Sequence, residues 1–324
     1  QAIEHALAAE DYPHVVQLIE KVALPMILQA YVRTVEGWLQ AIPPSFLVHS
    51  RRANMAYAWL HILRGAFAQA APYLERLEAM FSSPETGSQD PSLQGEWFAI
   101  QSKLLSVQGK TAESIELANR ALHLLSDADV HVRSMVLVNL ATAYQQMLDY
   151  AHAAEIFEMI IRDAHAMGDH VSETLAISGQ VQMLLLHGRL HLAFDLATEG
   201  IERLEASGKN TPFSATLFGE LGQIHYHWHH LDQAQQYLQL SILTSGQSGY
   251  SDPEIYHHVM RSRMFQMEEN WNAAAGEMHQ AGELARLIPP AMIREEVIAQ
   301  QVRVHLAFDR LTAAQDLLKP EGFS

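Results

Sequence analysis

A group of histidines is the part of this sequence whose residue types and spacing come closest to a chemical site. It comprises His225, His227, His229 and His230. His225 and His229 are four residues apart, which would place both imidazoles on one face of a zinc-binding helix. However, the glutamate of an H-E-x-x-H pattern is missing, a turn is expected at 229–230, and a third ligand would have to come from His257 or His258. We therefore predict polar positions at a helix end, and no metal site.

Catalytic patterns are equally weak elsewhere in the chain. The stretch from Ser245 to Gly249 lacks both the G-x-S-x-G spacing and the preceding strand of a nucleophile turn, and is interpreted as a loop between helices. The carboxylate pairs Glu268-Glu269 and Glu295-Glu296 are typical of helix surfaces. We predict that this chain is not an enzyme, and a metal-dependent hydrolase is the least favoured of three functional classes.

Composition excludes further classes of function. The 324 residues are 48% hydrophobic, contain no cysteine and carry a formal net charge of −16. Because phosphate backbones require a basic surface, direct binding of nucleic acid by this chain is not expected. Membrane spans need about 18 or more apolar residues in a row, which the sequence lacks, and the absence of cysteine is compatible with the cytoplasm. We expect a segment of a larger cytoplasmic protein.

The elements that position any site come from an internal repeat. An aromatic residue, Leu or Thr is followed three positions later by a small residue at seven places. These are Phe67/Ala70, Thr111/Ser114, Tyr150/Ala153, Leu190/Ala193, Leu231/Ala234, Trp271/Ala274 and Leu311/Ala314. Their spacing lies close to 40 residues, and a weaker copy occurs at Tyr12/Val15. Such a period indicates stacked helical hairpins, since neither helix of a hairpin can bury its apolar stripe alone.

The predicted fold is therefore all-α, a right-handed superhelix of about eight TPR-like hairpins with a period near 40 residues. Residues 1–50 are expected to form an irregular N-terminal hairpin or joint, and residues 51–324 the continuous repeat domain. Helix starts are predicted at Asp90-Pro91, Thr211-Pro212 and Asp252-Pro253, where a capping side chain precedes proline. A helix break is predicted at Ile288-Pro289-Pro290, and a surface loop from Ser82 to Asp90.

Several stretches resemble one family. They include Val35 to Met80 (starting VEGWLQAIPP), Gly188 to Ala193 (GRLHLA), Tyr226 to Ala234, Asn270 to Ala285 and the closing Lys319 to Phe323. This pattern resembles the helical-repeat region of large ATP-dependent LuxR-type transcriptional activators, the MalT-like group. The resemblance covers nearly the whole chain through degenerate repeat positions.

The resemblance implies a sensor. In this family an N-terminal nucleotide-binding switch precedes the superhelix, and a DNA-binding helix-turn-helix follows it. An inducer or inhibitory partner protein bound by the superhelix biases the switch toward an ATP-bound, self-associating form. No G-x-x-x-x-G-K-[ST] occurs here, so ATP and DNA are implied only for regions outside this chain, which itself needs no cofactor. The alternative is a free-standing peptide-binding scaffold of the TPR type.

The effector is expected in the groove lined by the first helices. Counting back from each small residue predicts the side chains that point into it. They are Gln145, Gln146, Gln182, Gln223, Tyr226, His227, Arg263 and Gln266. Amides, an arginine and aromatic groups suit hydrogen bonding to a polar small molecule or a peptide backbone.

Overall fold

The computed structural model describes residues 2–28, 31–63, 66–82, 90–207, 213–245, 252–286 and 293–319. Over these residues the chain forms 18 helices and no strand, so the all-α prediction is confirmed. The first nine are α1 (Ala2–Ala8), α2 (Tyr12–Leu28), α3 (Val32–Gln40), α4 (Pro44–Leu47), α5 (Arg51–Leu63), α6 (Phe67–Ser82), α7 (Pro91–Val107), α8 (Thr111–Leu124) and α9 (Val130–Gln146). The others are α10 (Tyr150–Met167), α11 (His170–Leu186), α12 (Leu190–Ala206), α13 (Ser214–His227), α14 (Leu231–Ser245), α15 (Asp252–Met267), α16 (Trp271–Ala285), α17 (Ile293–Ala307) and α18 (Leu311–Leu317).

Sixteen of these helices pair into eight hairpins within the described ranges. The first hairpin is α1–α2, and the other seven run in order from α5–α6 to α17–α18. Every second helix begins at the residue where the repeat pattern places it, from Tyr12 and Phe67 to Leu311. The small residue three positions on is buried in each case, including Ala70 and Ala234 at 0% exposure. The predicted hairpin repeat is therefore confirmed.

The turns inside the hairpins repeat one backbone geometry. In seven of the eight hairpins one described turn residue adopts a left-handed φ, and the next amide donates back to a carbonyl five residues earlier, as Asp149 does to Tyr144 at 2.9 Å. The left-handed residues are Glu10, Gly109, Leu148, Gly188, His229, Glu269 and Asp309. Only two of them are glycine, so five turns hold a side chain in a conformation that L-residues rarely adopt.

Small residues let the two helices of a hairpin approach closely. A Cβ added to Gly222 in α13 would lie 2.8 Å from Leu238 Cγ and 3.2 Å from the Ala234 carbonyl oxygen in α14. In the α7–α8 hairpin the small residue is Ser114. Its hydroxyl donates to the Ser102 carbonyl, and the Ser102 hydroxyl donates back to the Ser114 carbonyl. Because little side-chain volume separates the two helices, their backbones come close together. This close approach determines the position of the first helix.

The contacts divide the chain into two compact units. The first unit contains Gln1–Ser106 and Lys110–Ala176, and the second contains Val107–Gly109 and Ile177–Ser324. The first unit includes α3 and α4, which interrupt the repeat between α2 and α5. The boundary expected at residue 50 stays a prediction.

The predicted helix starts can be checked in part. Asp90 caps α7, since its Oδ1 accepts from the amides of Ser92 and Leu93 at 3.1 and 3.4 Å. Helix α15 begins at Asp252 itself, one residue earlier than predicted. The sites at 211–212 and 288–290, residues 83–89 of the predicted surface loop and residues 246–249 of the stretch after Ser245 lie outside the described residues. Among the described helices, none is long and apolar enough to cross a membrane.

We predict that Leu148→Gly stabilises the first unit. Leu148 is 70% exposed and has φ of 62°, so its side chain contributes little packing while its backbone is strained. Glycine relieves that strain in the folded state, but it also makes the unfolded chain more flexible, which offsets part of the gain. The net effect should be a rise in the free energy of unfolding of about 0.5–1 kcal/mol. Urea denaturation measures the change.

The matched control is Gly188→Ala. Gly188 has φ of 69°, and a Cβ there meets no atom within 4 Å, so the cost is conformational alone. This variant should lower the free energy of unfolding by about 1 kcal/mol. A decrease in stability for Leu148→Gly would contradict the interpretation.

Candidate functional site

Polar side chains connect the first helices of the second unit along one face. We call this set the polar row, and its members are Ser178, Gln182, Glu220, Tyr256, Arg263, Glu296 and Gln300. They lie on α11, α13, α15 and α17, and members on the same helix are spaced by four or seven residues, which places them on one side of it. The row therefore joins four successive hairpins through their first helices.

Glu220 is the buried carboxyl of the row, at 5% exposure. Ser178 Oγ of α11 donates to Glu220 Oε1 at 2.6 Å, and the Gln182 side chain also hydrogen-bonds to the carboxyl. Burial raises the pKa of Glu220 to about 8, although both hydrogen bonds oppose the shift. Glu220 is therefore mostly protonated at pH 7. The other oxygen, Oε2, is buried and has no hydrogen-bond partner among the described residues, so it can carry the proton.

Tyr256 adds a second buried donor. Its hydroxyl is buried and has no hydrogen-bond partner within the described parts of the chain. Burial and then the charge of Glu296 raise the pKa of Tyr256, so the phenol stays neutral near pH 7. The electrostatic influence of Glu220, Arg263 and Glu296 on this hydroxyl places it among the other members of the row. Buried polar groups are ordinarily satisfied, so Glu220 Oε2 and the Tyr256 hydroxyl are the exceptions among the members of the polar row.

Arg263 is the cation of the row. Its Nη2 donates to Glu296 Oε1 at 2.7 Å. Gln300, with its amide oxygen turned toward the guanidinium, accepts from Nε and Nη2, both at 3.0 Å. Burial, then Arg263 and His229, lower the pKa of His227, which keeps this imidazole neutral at pH 7. The cation therefore joins α15 to α17 and also acts on the end of α13.

The residues predicted from the repeat divide between the two units. Gln145 and Gln146 belong to the first unit, where Gln146 Oε1 accepts from Thr111 Oγ1 at 3.3 Å. The other six lie in the second unit. Gln182 and Arg263 are members of the polar row, and Gln223 and His227 follow Glu220 by three and seven positions on α13. Their assignment to an effector stays a prediction.

Two of the six predicted residues of the second unit have structural contacts of their own. Tyr226 packs against Leu238, Met260 and Met264, so its ring is partly a core group. Gln266 donates to Ser262 Oγ at 3.2 Å within its own helix. Both contacts occupy part of the hydrogen-bonding or apolar surface that an effector would use.

Five members of the polar row are not among the residues predicted from the sequence. They are Ser178, Glu220, Tyr256, Glu296 and Gln300. Counting back from the small residue reached only the last turns of each first helix, whereas Ser178, Glu220 and Tyr256 lie one or two turns earlier on the same stripe. Glu296 was expected to be ordinary surface charge, but it is the ion-pair partner of Arg263. Extending the stripe by steps of three, four and seven residues would have found them.

The histidine group is an aromatic cluster at the turn between α13 and α14. His225 stacks on Tyr237 with ring centroids 5.2 Å apart and meets Phe194 and Trp228 edge-on. Burial and His230 lower the pKa of His225. The predicted turn at 229–230 is confirmed, with both imidazoles exposed. Among the described residues no group of three His, Cys, Asp or Glu side chains could hold a metal ion.

Stacked hairpins with a polar face on their first helices define a TPR-like helical-repeat protein. The family model of the MalT-like TPR region matches residues 95–321. The chain belongs to this family.

Known relatives agree with this assignment. The chain is similar to the HTH-type transcriptional regulator MalT of Serratia proteamaculans, with 23% identity over 236 residues, which are 72% of this chain and 26% of that protein. The regulator of the same name from Yersinia enterocolitica is 22% identical over 237 residues, 73% of this chain and 26% of that protein. The chain thus spans about a quarter of the length of these relatives.

A solved structure shares the fold. The apo form of the quorum sensor NprR from B. thuringiensis superposes with a TM-score of 0.58 at 15% identity, covering 97% of this chain and 94% of that one. At this identity the likeness concerns the fold alone.

We predict that Glu220→Gln weakens the pH dependence of stability. With a folded pKa of about 8 and an ordinary value of 4.5, Glu220 ionises in the unfolded chain before it ionises in the folded one. Folded stability therefore falls as pH rises between these values, and glutamine, which mimics the protonated acid, abolishes that fall. Near pH 9 the variant should exceed the wild type by on the order of 5 kcal/mol, measured by urea denaturation.

The control is Glu158→Gln on the exposed side of α10, which should leave the pH profile unchanged. Parallel profiles for wild type and Glu220→Gln would show that Glu220 is ionised in the folded protein.

Proposed function

We propose that this chain is the effector-sensing region of a LuxR-type, MalT-like transcriptional regulator. The effector, a small molecule or a regulatory peptide or protein, binds to the face that carries the polar row. Its occupancy biases an ATPase switch outside this chain, and DNA is bound by another region of the full-length protein. The role is non-catalytic and cytoplasmic.

The observation that carries the proposal is the pair of unsatisfied donors on Glu220 and Tyr256. A buried hydrogen-bonding group without a partner costs about 1–3 kcal/mol, and an effector that supplies an acceptor recovers that free energy. Membership of the MalT-like family supports regulation as the purpose, because its relatives are transcriptional regulators. The shared fold with a quorum sensor supports sensing by stacked hairpins.

The chemistry of the row indicates what kind of effector fits. Protonated Glu220, the Tyr256 hydroxyl and the Arg263 guanidinium all donate, while Gln182 in the row and Gln223 next to it on α13 can donate or accept. The complementary ligand is rich in acceptor oxygens, as a peptide backbone or a polar oxygenated small molecule is. Most of these side chains are neutral, so recognition depends on hydrogen-bond geometry more than on net charge.

The row also offers a means of transmission. Glu220 joins α13 to α11, and Arg263 joins α15 to α17. A ligand that competes for these side chains changes how the first helices are held together, and the equilibrium shifts by its difference in affinity for the two arrangements. That change in hairpin spacing is the signal proposed to reach the switch.

We predict that substitutions of Arg263 in the polar row, and of Gln223 three positions after Glu220 on α13, weaken effector binding. The purified protein is screened against polar metabolites and short peptides by thermal shift, and hits are measured by calorimetry. Gln223→Ala and Arg263→Gln should each raise the Kd about tenfold, the loss of roughly one hydrogen bond to a charged or amide group.

Gln239→Ala is the matched control, since Gln239 is an exposed amide on the second helix α14. Its Kd should match the wild type, and circular dichroism verifies that each variant is folded. A ligand that binds all variants equally would place the effector site away from the polar row.

A further inference from the structure

A second polar site lies in the first unit, mostly ahead of the segment that matches the family. A cleft of about 490 Å³ is lined by Gln17, Glu20 and Lys21 of α2 and by Arg52 of α5. The three α2 residues occupy positions i, i+3 and i+4, so they share one face of that helix. The volume is in the range of small-molecule sites, which run from about 300 to 1,000 Å³.

The cleft brings two cations together in a chain of net charge −16. Lys21 is exposed on α2, and Arg52 faces it from α5. Arg52 reaches Asp90 and Glu96 at 3.6 Å each, both longer than a direct N–H···O hydrogen bond. A guanidinium has five N–H donors in a planar fork, so these two long contacts leave it able to bind a ligand oxyanion directly.

The acidic groups around Arg52 repel a bound anion less strongly than their number alone suggests. Glu96 is 4% exposed, and burial raises its pKa to about 7, with Arg52 lowering it and Asp129 and Asp90 raising it. Glu96 is therefore only about half ionised near neutral pH. The Asp129 carboxylate accepts hydrogen bonds from the hydroxyls of Ser92 and Ser126, which stabilise its negative charge locally.

Glu20 supplies the specificity. It lies between Gln17 and Lys21 and accepts a hydrogen bond from the Ser50 hydroxyl, which fixes the carboxylate at the wall of the cleft. A carboxylate accepts but does not donate, so it repels a fully deprotonated anion and favours one that carries a proton. Phosphate and its monoesters have such a P–OH group at neutral or slightly acidic pH, whereas sulfate has none.

We propose that this cleft binds a phosphate group, free or as the monoester of a small metabolite. Arg52 and Lys21 pair with its anionic oxygens, Glu20 accepts its P–OH proton, and Gln17 hydrogen-bonds at the rim. The site is separate from the polar row and does not depend on the effector proposal.

We predict phosphate binding that is selective over sulfate. Calorimetric titration of the whole protein with inorganic phosphate, and with sulfate at matched ionic strength, should give about a tenfold tighter Kd for phosphate. Glycerol 3-phosphate at slightly acidic pH distinguishes the sources: tighter binding than inorganic phosphate indicates a metabolite monoester, and weaker binding indicates the free anion.

Substitutions test the assigned residues. Arg52→Gln and Lys21→Gln should each weaken phosphate binding about tenfold. Glu20→Gln should reduce the ratio of the Kd for sulfate to the Kd for phosphate. Arg162→Gln, on an arginine of α10 that is 74% exposed and paired with Asp163, is the matched control and should bind as the wild type.

Glu96 provides a readout that does not depend on affinity. The negative charge of phosphate bound at Arg52 offsets part of the positive charge that keeps Glu96 ionised. Binding near neutral pH should therefore be accompanied by proton uptake, which calorimetry in buffers of different ionisation enthalpy detects. Glu96→Gln should bind phosphate with a smaller proton uptake than the wild type, since only the exchange of the phosphate itself remains. Equal affinity for sulfate and phosphate, or unchanged phosphate binding in both Arg52→Gln and Lys21→Gln, would overturn the proposal.

Discussion

The close contact between the two helices of each hairpin is the constraint on which the rest of the structure depends. An amphipathic helix of this length buries its apolar stripe only against neighbours, and the backbone must come close enough for those stripes to interlock. The small residue on each second helix makes that approach possible, and Gly222 extends it to the first helix of the α13–α14 hairpin. A larger side chain at these positions would move a whole helix and, with it, every polar group that the helix carries.

Because the second helices and the turns satisfy this constraint, the first helices are free to carry polar residues on one face. That freedom is limited by burial. Glu220 and Glu96 both sit on first helices where neighbouring helices cover them, and burial raises the pKa of both. Such groups reduce stability at neutral and basic pH, and perturbed pKa values of this kind cluster at functional sites in proteins generally. Glu220 lies beside Ser178 and Gln182 in the polar row, and Glu96 lies beside Arg52.

The packing of the helices gives the histidines surroundings that differ from those their spacing suggests. His225 is four residues from His229, but the helix ends at His227 and the left-handed turn at His229 turns that imidazole outward. His225 then packs among Phe194, Trp228 and Tyr237, and burial lowers its pKa. Its spacing is that of a ligand pair, yet its environment is that of an aromatic packing group.

The sequence by itself determined the repeat: where each second helix begins, which small residue is buried, and that the chain is all-α. These features are local, since a turn and a helical stripe are specified by residues within about ten positions of each other. The polar row could be predicted only in part. Gln182 and Arg263 follow from their distance from a turn, but their partners Glu220, Glu296 and Gln300 lie on other hairpins.

Tertiary structure alone decided which carboxyls are buried and which cation faces which acid. The Arg263–Glu296 pair spans 33 residues of sequence, and the cleft at Arg52 joins α2 to α5 across the interrupting helices α3 and α4. A pKa depends on the three-dimensional surroundings of a group, namely how much water is removed and which charges approach. No periodic pattern contains these quantities, because they depend on side chains that are distant in the sequence and close only after the helices pack.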